Sequence, residues 1–340
     1  MERMQSYAKR IIAVVVTYDR APLLRRCLAA LQAQRCGPDA VIVVDDASPG
    51  FATADAVAAF PGVGHLRHTT NLGGAAAYCT GIEAALAMGA NLVWLMDDDA
   101  LPASEDCLER LASLAEDGAG LAAPMVLDQD DPRRLAFPIR IAGRTRFFAN
   151  DLDGAPSIEG FAHLFNGVLI QAETFRAIGL PDPRFVCRGD EVEFLLRALR
   201  AGIAVQIATG AQFLHPGARP EIHPILSGRF YATLPLGEAK QRVQFRNRGY
   251  IFRRYGMWHY LAADIVRYGC YFLLRRRPDA AGFGRWLGLT AGGWWGGFMR
   301  RPAPQRSHLL VAAPNTGDYA RPFEGERPPV PAAQGARQAG

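Results

Sequence analysis

The sequence predicts an α/β fold, a mostly parallel sheet flanked by helices, with a C-terminal helical extension. Three observations carry this prediction: β-branched runs alternate with helical patterns, three of those runs end in polar or acidic residues, and the composition changes near residue 226. Ile11 to Thr17 (IIAVVVT) is a continuous apolar run, as a strand covered on both faces requires. Pro22 fits the first turn of the helix that follows, whose Leu23, Leu24, Leu28 and Leu31 recur at helical spacing. Ala40 to Val44 reads as a second buried strand, ending at Asp45-Asp46. Gly81 to Met88 reads as helix, and Asn91 to Met96 as a strand that ends at Asp97-Asp98-Asp99. From Leu121 to about Phe165, short strands and polar loops point to an inserted region. Gly167 to Ile170 is expected as strand, Glu191 to Ala201 as helix, and Ala204 to Ala208 as a strand leading to His215.

These elements divide the chain into a nucleotide-binding type of domain over 1–225, a helical basic-aromatic region over 226–300, and a tail over 301–340. Gln241 to Tyr255 is helical, basic and aromatic, and His259 to Leu274 is apolar and followed by Arg275-Arg276-Arg277. An amphipathic basic stretch with aromatics suits a membrane interface, and equally a helical cap on the first domain. Proline, glycine and alanine dominate after Arg301, so no fixed structure is expected there.

At 340 residues and 49% hydrophobic content the chain can bury a sizeable core. Its net charge of +5 favours anionic partners, but no finger spacing or long basic run points to nucleic acid. The six cysteines form no CxxC pair and read as reduced thiols. The apolar stretch after Arg10 ends too early for a signal peptide, and no run reaches the ~20 apolar residues of a membrane span. A cytoplasmic protein is expected, with peripheral contact on the inner face of the cell membrane. Nothing in the sequence sets an oligomeric state.

Ligands of such sheets gather beyond the carboxyl ends of the strands, so the polar strand ends are the candidate site. Adjacent carboxylates at Asp97, Asp98 and Asp99 repel one another unless a cation or solvent relieves them. A hard divalent ion, Mg2+ or Mn2+, is such a cation; the alternative is a solvated acidic turn. Asp45 and Asp46 can accept hydrogen bonds from a nucleobase or ribose, or cap a helix. Thr17 and Tyr18 offer a hydroxyl and a ring face. Asn71-Leu72-Gly73-Gly74 allows close backbone approach to a ligand, or makes a tight turn. It is not a dinucleotide fingerprint. Asp190-Glu191 places carboxylates at a helix start, where one can act as general base or simply favour the dipole. His215 follows an apolar strand and can complete a metal site or serve the core.

Taken together, VVVTYDR (Val14 to Arg20), IVVDDAS (Ile42 to Ser48), NLGGAAAY (Asn71 to Tyr78), WLMDDDA (Trp94 to Ala100), FNGVLI (Phe165 to Ile170), GDEVEFLLRA (Gly189 to Ala198) and FLHPG (Phe213 to Gly217) resemble a family-2 glycosyltransferase of the GT-A fold. RNRGYIFRRYG (Arg246 to Gly256) is similar to a segment of the galactofuranosyl and rhamnosyl branches. The resemblance implies an inverting, metal-dependent sugar transfer from a nucleotide diphosphate to a glycan or lipid-linked acceptor. By it, Thr17, Tyr18, Asp45, Asp46, Asn71, Gly73 and Gly74 would hold the nucleotide and Asp98 the ribose or donor. Asp97, Asp99 and His215 would bind the cation. Glu191, and after it Asp190, would be the base, with Asn166, Gly167, Arg246 and Arg248 towards the acceptor. UDP-galactofuranose leads as donor, with dTDP-rhamnose next. A nucleotidyltransferase would want a glycine-rich basic loop after the first strand, which Tyr18-Asp19-Arg20-Ala21-Pro22 lacks. A non-catalytic sugar-nucleotide adaptor is the third reading.

Overall fold

A computed structural model describes residues 9–300 apart from 142, 143, 153, 155, 275 and 276, together with 308–310. Its first half alternates as expected: β1 (Ile11–Thr17), α1 (Ala21–Gln32), β2 (Ala40–Asp45), α2 (Ala52–Ala58), β3 (Val63–His68), α3 (Gly74–Ala87), β4 (Leu92–Asp97), β5 (Leu101–Pro102) and α4 (Cys107–Glu116). There follow β6 (Leu121–Asp128), β7 (Arg134–Ile141), β8 (Arg144–Phe148), β9 (Ser157–Glu159), β10 (Asn166–Gln171), α5 (Ala172–Ile178), α6 (Asp190–Arg200) and β11 (Val205–His215). The remainder is β12 (Ile222–Ile225), β13 (Phe230–Thr233), α7 (Glu238–Arg254), α8 (Trp258–Leu273), α9 (Ala280–Trp294) and β14 (His308–Leu310).

The main sheet runs β14-β3-β2-β1-β4-β10-β6-β11-β5. Strands β3, β2, β1 and β4 are parallel, β10 is antiparallel to both β4 and β6, and β6 and β11 are again parallel. Side chains alternate across a strand, so β1 feeds two cores. Ile12, Val14 and Val16 pack with Tyr78 and Ile82 of α3, while Ile11, Ala13 and Val15 pack with Leu24, Leu28 and Leu31 of α1. Both faces are therefore dry, which is why the run is continuous and not alternating.

Four expectations change. Helix α3 starts at Gly74, before Gly81, because the Ala75–Ala77 run already packs on the sheet. Leu121 to Asp128 is not part of an inserted region: all of β6 is buried between β10 and β11, and β7 branches from the end of β6 to pair with β8 as a hairpin. Strand β11 continues past Ala208, through an irregularity before Gln212, to His215. Of the 301–340 tail, His308–Leu310 departs from the expected lack of structure by pairing antiparallel with β3; its other residues, like Arg275 and Arg276, lie outside the described residues.

The helical extension has its own core, built from Phe245, Tyr268, Phe272 and Trp286. Helices α7 and α9 cross at glycines: a Cβ on Gly249 would lie 2.1 Å from the Thr290 carbonyl oxygen, and one on Gly293 would lie 1.8 Å from that of Arg246. Gly293→Val is expected to lower unfolding stability by about 2 kcal/mol or more, read by urea denaturation. An unchanged midpoint would show that this crossing can relax. No described helix is long and apolar enough to cross a membrane.

Candidate active site

The carboxyl ends of β1, β2 and β4 lie side by side, with Thr17 opposite Asp45 and Val16 opposite Asp97. Alternation at the end of β4 divides the acidic triplet. Asp97 and Asp99 are half-buried, whereas Asp98 is 2% exposed and turned inward. There it accepts from Thr17 Oγ1 at 2.7 Å and from Arg20 Nη1 at 3.2 Å. Thr17 and Asp98 thus satisfy each other and shape the strand ends. Tyr18, 47% exposed, keeps a free ring face.

Asp99 receives Arg20 Nη1 on one oxygen at 2.6 Å, and its other oxygen lies 3.3 Å from His215 Nε2. That second oxygen, Oδ1, is buried with no hydrogen bond in line with it. Asp97 accepts from the Tyr78 hydroxyl at 2.7 Å. Burial, with the Asp99 charge, pushes the Asp97 carboxyl up to about 7, and burial raises Asp98 to about 6. For Asp99 burial is outweighed by His215 and Arg20, which hold it below the usual range; His215 is correspondingly raised against its own burial. The expected trio of Asp97, Asp99 and His215 is brought together as an ion pair beside a tyrosine-bound carboxylate. Among the described residues no three His, Cys, Asp or Glu side chains already form a group that could hold a metal ion. Two carboxylates and an imidazole, with one buried oxygen unbonded and one carboxyl resisting ionisation, nevertheless fit a hard divalent cation.

Asp45 and Asp46 take different roles. Asp45 Oδ1 accepts from Ser48 N at 2.7 Å, while its Oδ2 has no hydrogen-bond partner, the Arg67 and His65 nitrogens standing 3.7 and 3.9 Å away. The buried His65 Nε2 is also unpartnered, and burial lowers the pKa of that ring. Asp46 instead has both oxygens engaged, by His68 Nδ1 and Leu72 N on one and Gly73 N on the other, at 2.7 to 2.9 Å. It clasps the Asn71–Gly74 loop and does not reach for a ligand. Gly73 adopts φ +91°, and a Cβ there would meet Val186 at 2.6 Å, so its bareness serves packing. Gly74 opens onto free space and Asn71 is exposed. Gly167, at φ +94°, likewise admits the Phe213 ring, so it faces protein and not an acceptor.

At the head of α6, Asp190 is buried and Glu191 half-buried. Glu191 Oε2 accepts from Gly189 N at 2.9 Å. Burial and the neighbouring Glu191 push Asp190 well above the usual carboxylate range, with a smaller contribution from Asp97. The two acidic clusters therefore share one field. The preceding loop holds Val186 and Arg188 at φ +70° and +57°, conformations that need external support. Support comes from α7: the fully buried Asn247 donates from Nδ2 to the carbonyls of Phe185, Cys187 and Arg188 at 2.8 to 3.1 Å. Arg188 forks onto Glu221 at 2.9 Å on both oxygens.

Arg246 and Arg248 are both engaged within the protein. Arg246 holds the Asn247 Oδ1 at 2.8 Å and lies over the Phe298 ring, and Arg248 pairs with buried Asp264. The working residue of the RNRGY segment is the asparagine between them, whose signal was a lone amide inside a basic helix. Asn247→Ala is expected to strand those carbonyls, lowering stability by about 1–3 kcal/mol and turnover by on the order of 10-fold or more. Unaltered turnover would detach this amide from the loop's function.

The model for the glycosyl transferase family 2 matches residues 12–169. Over 292 residues the chain is 39% identical to galactofuranosyltransferase GlfT1 of Mycolicibacterium smegmatis, covering 84% of this chain and 96% of that one. Over 285 residues it is 40% identical to GlfT1 of Mycobacterium tuberculosis, covering 82% and 93%. Among solved structures, GalNAc-T7 with UDP, GalNAc and Mn2+ shares the GT-A type of fold at a TM-score of 0.51 and 13% identity, over 73% of this chain and 48% of that one. With the sheet order and strand-end carboxylates described above, these likenesses make the chain a member of the family-2 glycosyltransferases, near their galactofuranosyltransferase branch.

Proposed function

We propose that this chain transfers galactofuranose from UDP-galactofuranose, with inversion, to a hydroxyl of a cell-surface glycan or lipid-linked acceptor. The supporting observation is the convergence of Asp97, Asp99 and His215 with the Asp190-Glu191 pair at one end of the sheet. Identity of 39–40% to two galactofuranosyltransferases favours that sugar. The nucleoside would lie over the exposed Tyr18 ring, with the unpartnered Asp45 Oδ2 and His65 Nε2 meeting polar atoms of base or ribose.

Asp97, Asp99 and His215 would hold Mn2+ or Mg2+, which when bound neutralises a departing diphosphate; Mn2+ is the ion in the GalNAc-T7 structure. Glu191, fixed by the Gly189 amide, accepts the acceptor hydroxyl's proton as that oxygen bonds to the anomeric carbon. The bond from this carbon to the β-phosphate oxygen breaks, and UDP leaves with its electron pair. Attack opposite the leaving group inverts the centre.

Six free cysteines fit a reducing compartment. The exposed face of α8 carries Trp258, Ile265, Val266 and Leu273, with Arg253 and Arg254 exposed nearby. We read it as the contact with the inner, anionic face of the cell membrane. Protein that fails to float with anionic vesicles at low salt would remove that contact.

The test of function is a donor panel read by nucleotide release. UDP release from UDP-galactofuranose, dependent on acceptor, is expected. Release from dTDP-rhamnose alone would change the donor, and release of pyrophosphate from a nucleoside triphosphate would replace the reaction class.

A further inference from the structure

Two buried acceptor atoms beside the site have no partner among the described residues: His163 Nε2 and Asn166 Oδ1. His163 is packed against the Phe137 and Phe161 rings, with centroids 5.0 and 4.8 Å away, and Phe137 is 4.9 Å from the His215 ring. Asn166 opens β10 opposite Met96, the residue before Asp97, and its Nδ2 donates to Leu164 O at 3.0 Å. Between them, the Phe165 carbonyl accepts from Asp97 N at 2.9 Å and Tyr78 OH at 3.3 Å. The 161–166 segment is thus a wall running from His215 to Asp97.

The chemistry of the two atoms is the same. Burial holds the His163 ring neutral, with its pKa lowered to about 4, and its hydrogen bond to the Phe137 carbonyl keeps the ring proton on the other nitrogen. Nε2 is therefore a bare acceptor, and so is an amide oxygen whose nitrogen is already used. Buried acceptors without donors are costly, and they mark places where a ligand completes the bonding. A phosphate or carboxylate has no proton to offer them. A ligand rich in hydroxyls has several, and its C–H faces suit the flanking phenylalanine rings.

We propose that His163 Nε2 and Asn166 Oδ1 form a sugar-reading subsite that accepts hydrogen bonds from hydroxyls of the sugar held beside the Asp97–His215 end. This rests on the transferase reading above. The hydroxyls belong to the transferred sugar or to the acceptor's terminal sugar, and the test separates the two.

The full chain, its His163→Phe variant (which keeps an aromatic ring against Phe137) and its Asn166→Ala variant are titrated with UDP and with UDP-galactofuranose. The acceptor KM is measured alongside. Each variant is expected to lose about tenfold in one sugar-dependent quantity, with UDP affinity unchanged. Loss in UDP-galactofuranose affinity assigns the subsite to the donor sugar; a raised acceptor KM assigns it to the acceptor. A deoxygenated sugar at the assigned position should bind the wild type weakly and His163→Phe no worse than the parent sugar does. Equal behaviour of wild type and both variants overturns the subsite, as does a parallel loss of UDP affinity. Failure of UDP to bind the wild type sinks the transferase reading itself.

Discussion

Glu191→Gln is expected to slow turnover by about 10²- to 10⁴-fold, the usual contribution of a general base. UDP binding should survive, since glutamine keeps the side chain's length and can still accept from the Gly189 amide at the loop's end. Asp190→Asn should behave differently. Burial disfavours the charged form of Asp190, and an asparagine keeps its size without adding a charge, so activity should stay within about tenfold of wild type. Steady-state kinetics of the two variants with saturating donor separate the roles. A silent Glu191→Gln with a dead Asp190→Asn would move the base to the buried carboxylate.

Removing the cation should cost nearly as much. Chelation is expected to abolish activity, with recovery on adding Mn2+ or Mg2+, and Asp97→Asn or Asp99→Asn should reduce kcat/KM by on the order of 100-fold or more. The pH dependence has a definite sign. Asp97 is raised to about 7, so below that value it is protonated and a cation must displace a proton to bind. Cation affinity should therefore fall about tenfold per pH unit as the solution becomes more acid than 7. An activation constant for Mn2+ that is flat between pH 5 and 8 would take Asp97 out of the ligand set.

The main sheet and the acidic ends of its strands were legible because burial on both faces leaves a signature no polar strand can mimic, as in Ile11 to Thr17. The order β1-β4-β10-β6 was not, since antiparallel insertion of β10 depends on partners distant in the chain. The place of Leu121 to Asp128 was illegible for the same reason: a short strand is expected there, but it is central only once β10 and β11 flank it. Within the site, residue type announced the chemistry and spacing did not assign it. Asp45 and Asp46 are adjacent and identical in type, yet one has an unbonded oxygen and the other clasps a loop, because successive side chains at a strand end face opposite ways. Gly73 suits close backbone approach to a ligand by its type, yet the space a side chain would take there belongs to Val186. Arg20, Tyr78, His65, His163 and Asn247 carry no sequence signal of their own, because the surroundings that give each its part come from segments far away in the chain. Only folding puts Tyr78 on Asp97, or Asn247 under Phe185.

Mn2+ electron paramagnetic resonance, with and without UDP, is the most direct measurement of whether Asp97, Asp99 and His215 share an ion beside a diphosphate. In the wild type, UDP should convert free Mn2+ into a single bound equivalent, and both Asp99→Asn and His215→Ala should abolish that conversion while the protein remains folded. Bound Mn2+ of equal amount and affinity in all three proteins, or none in the wild type with UDP present, would contradict it.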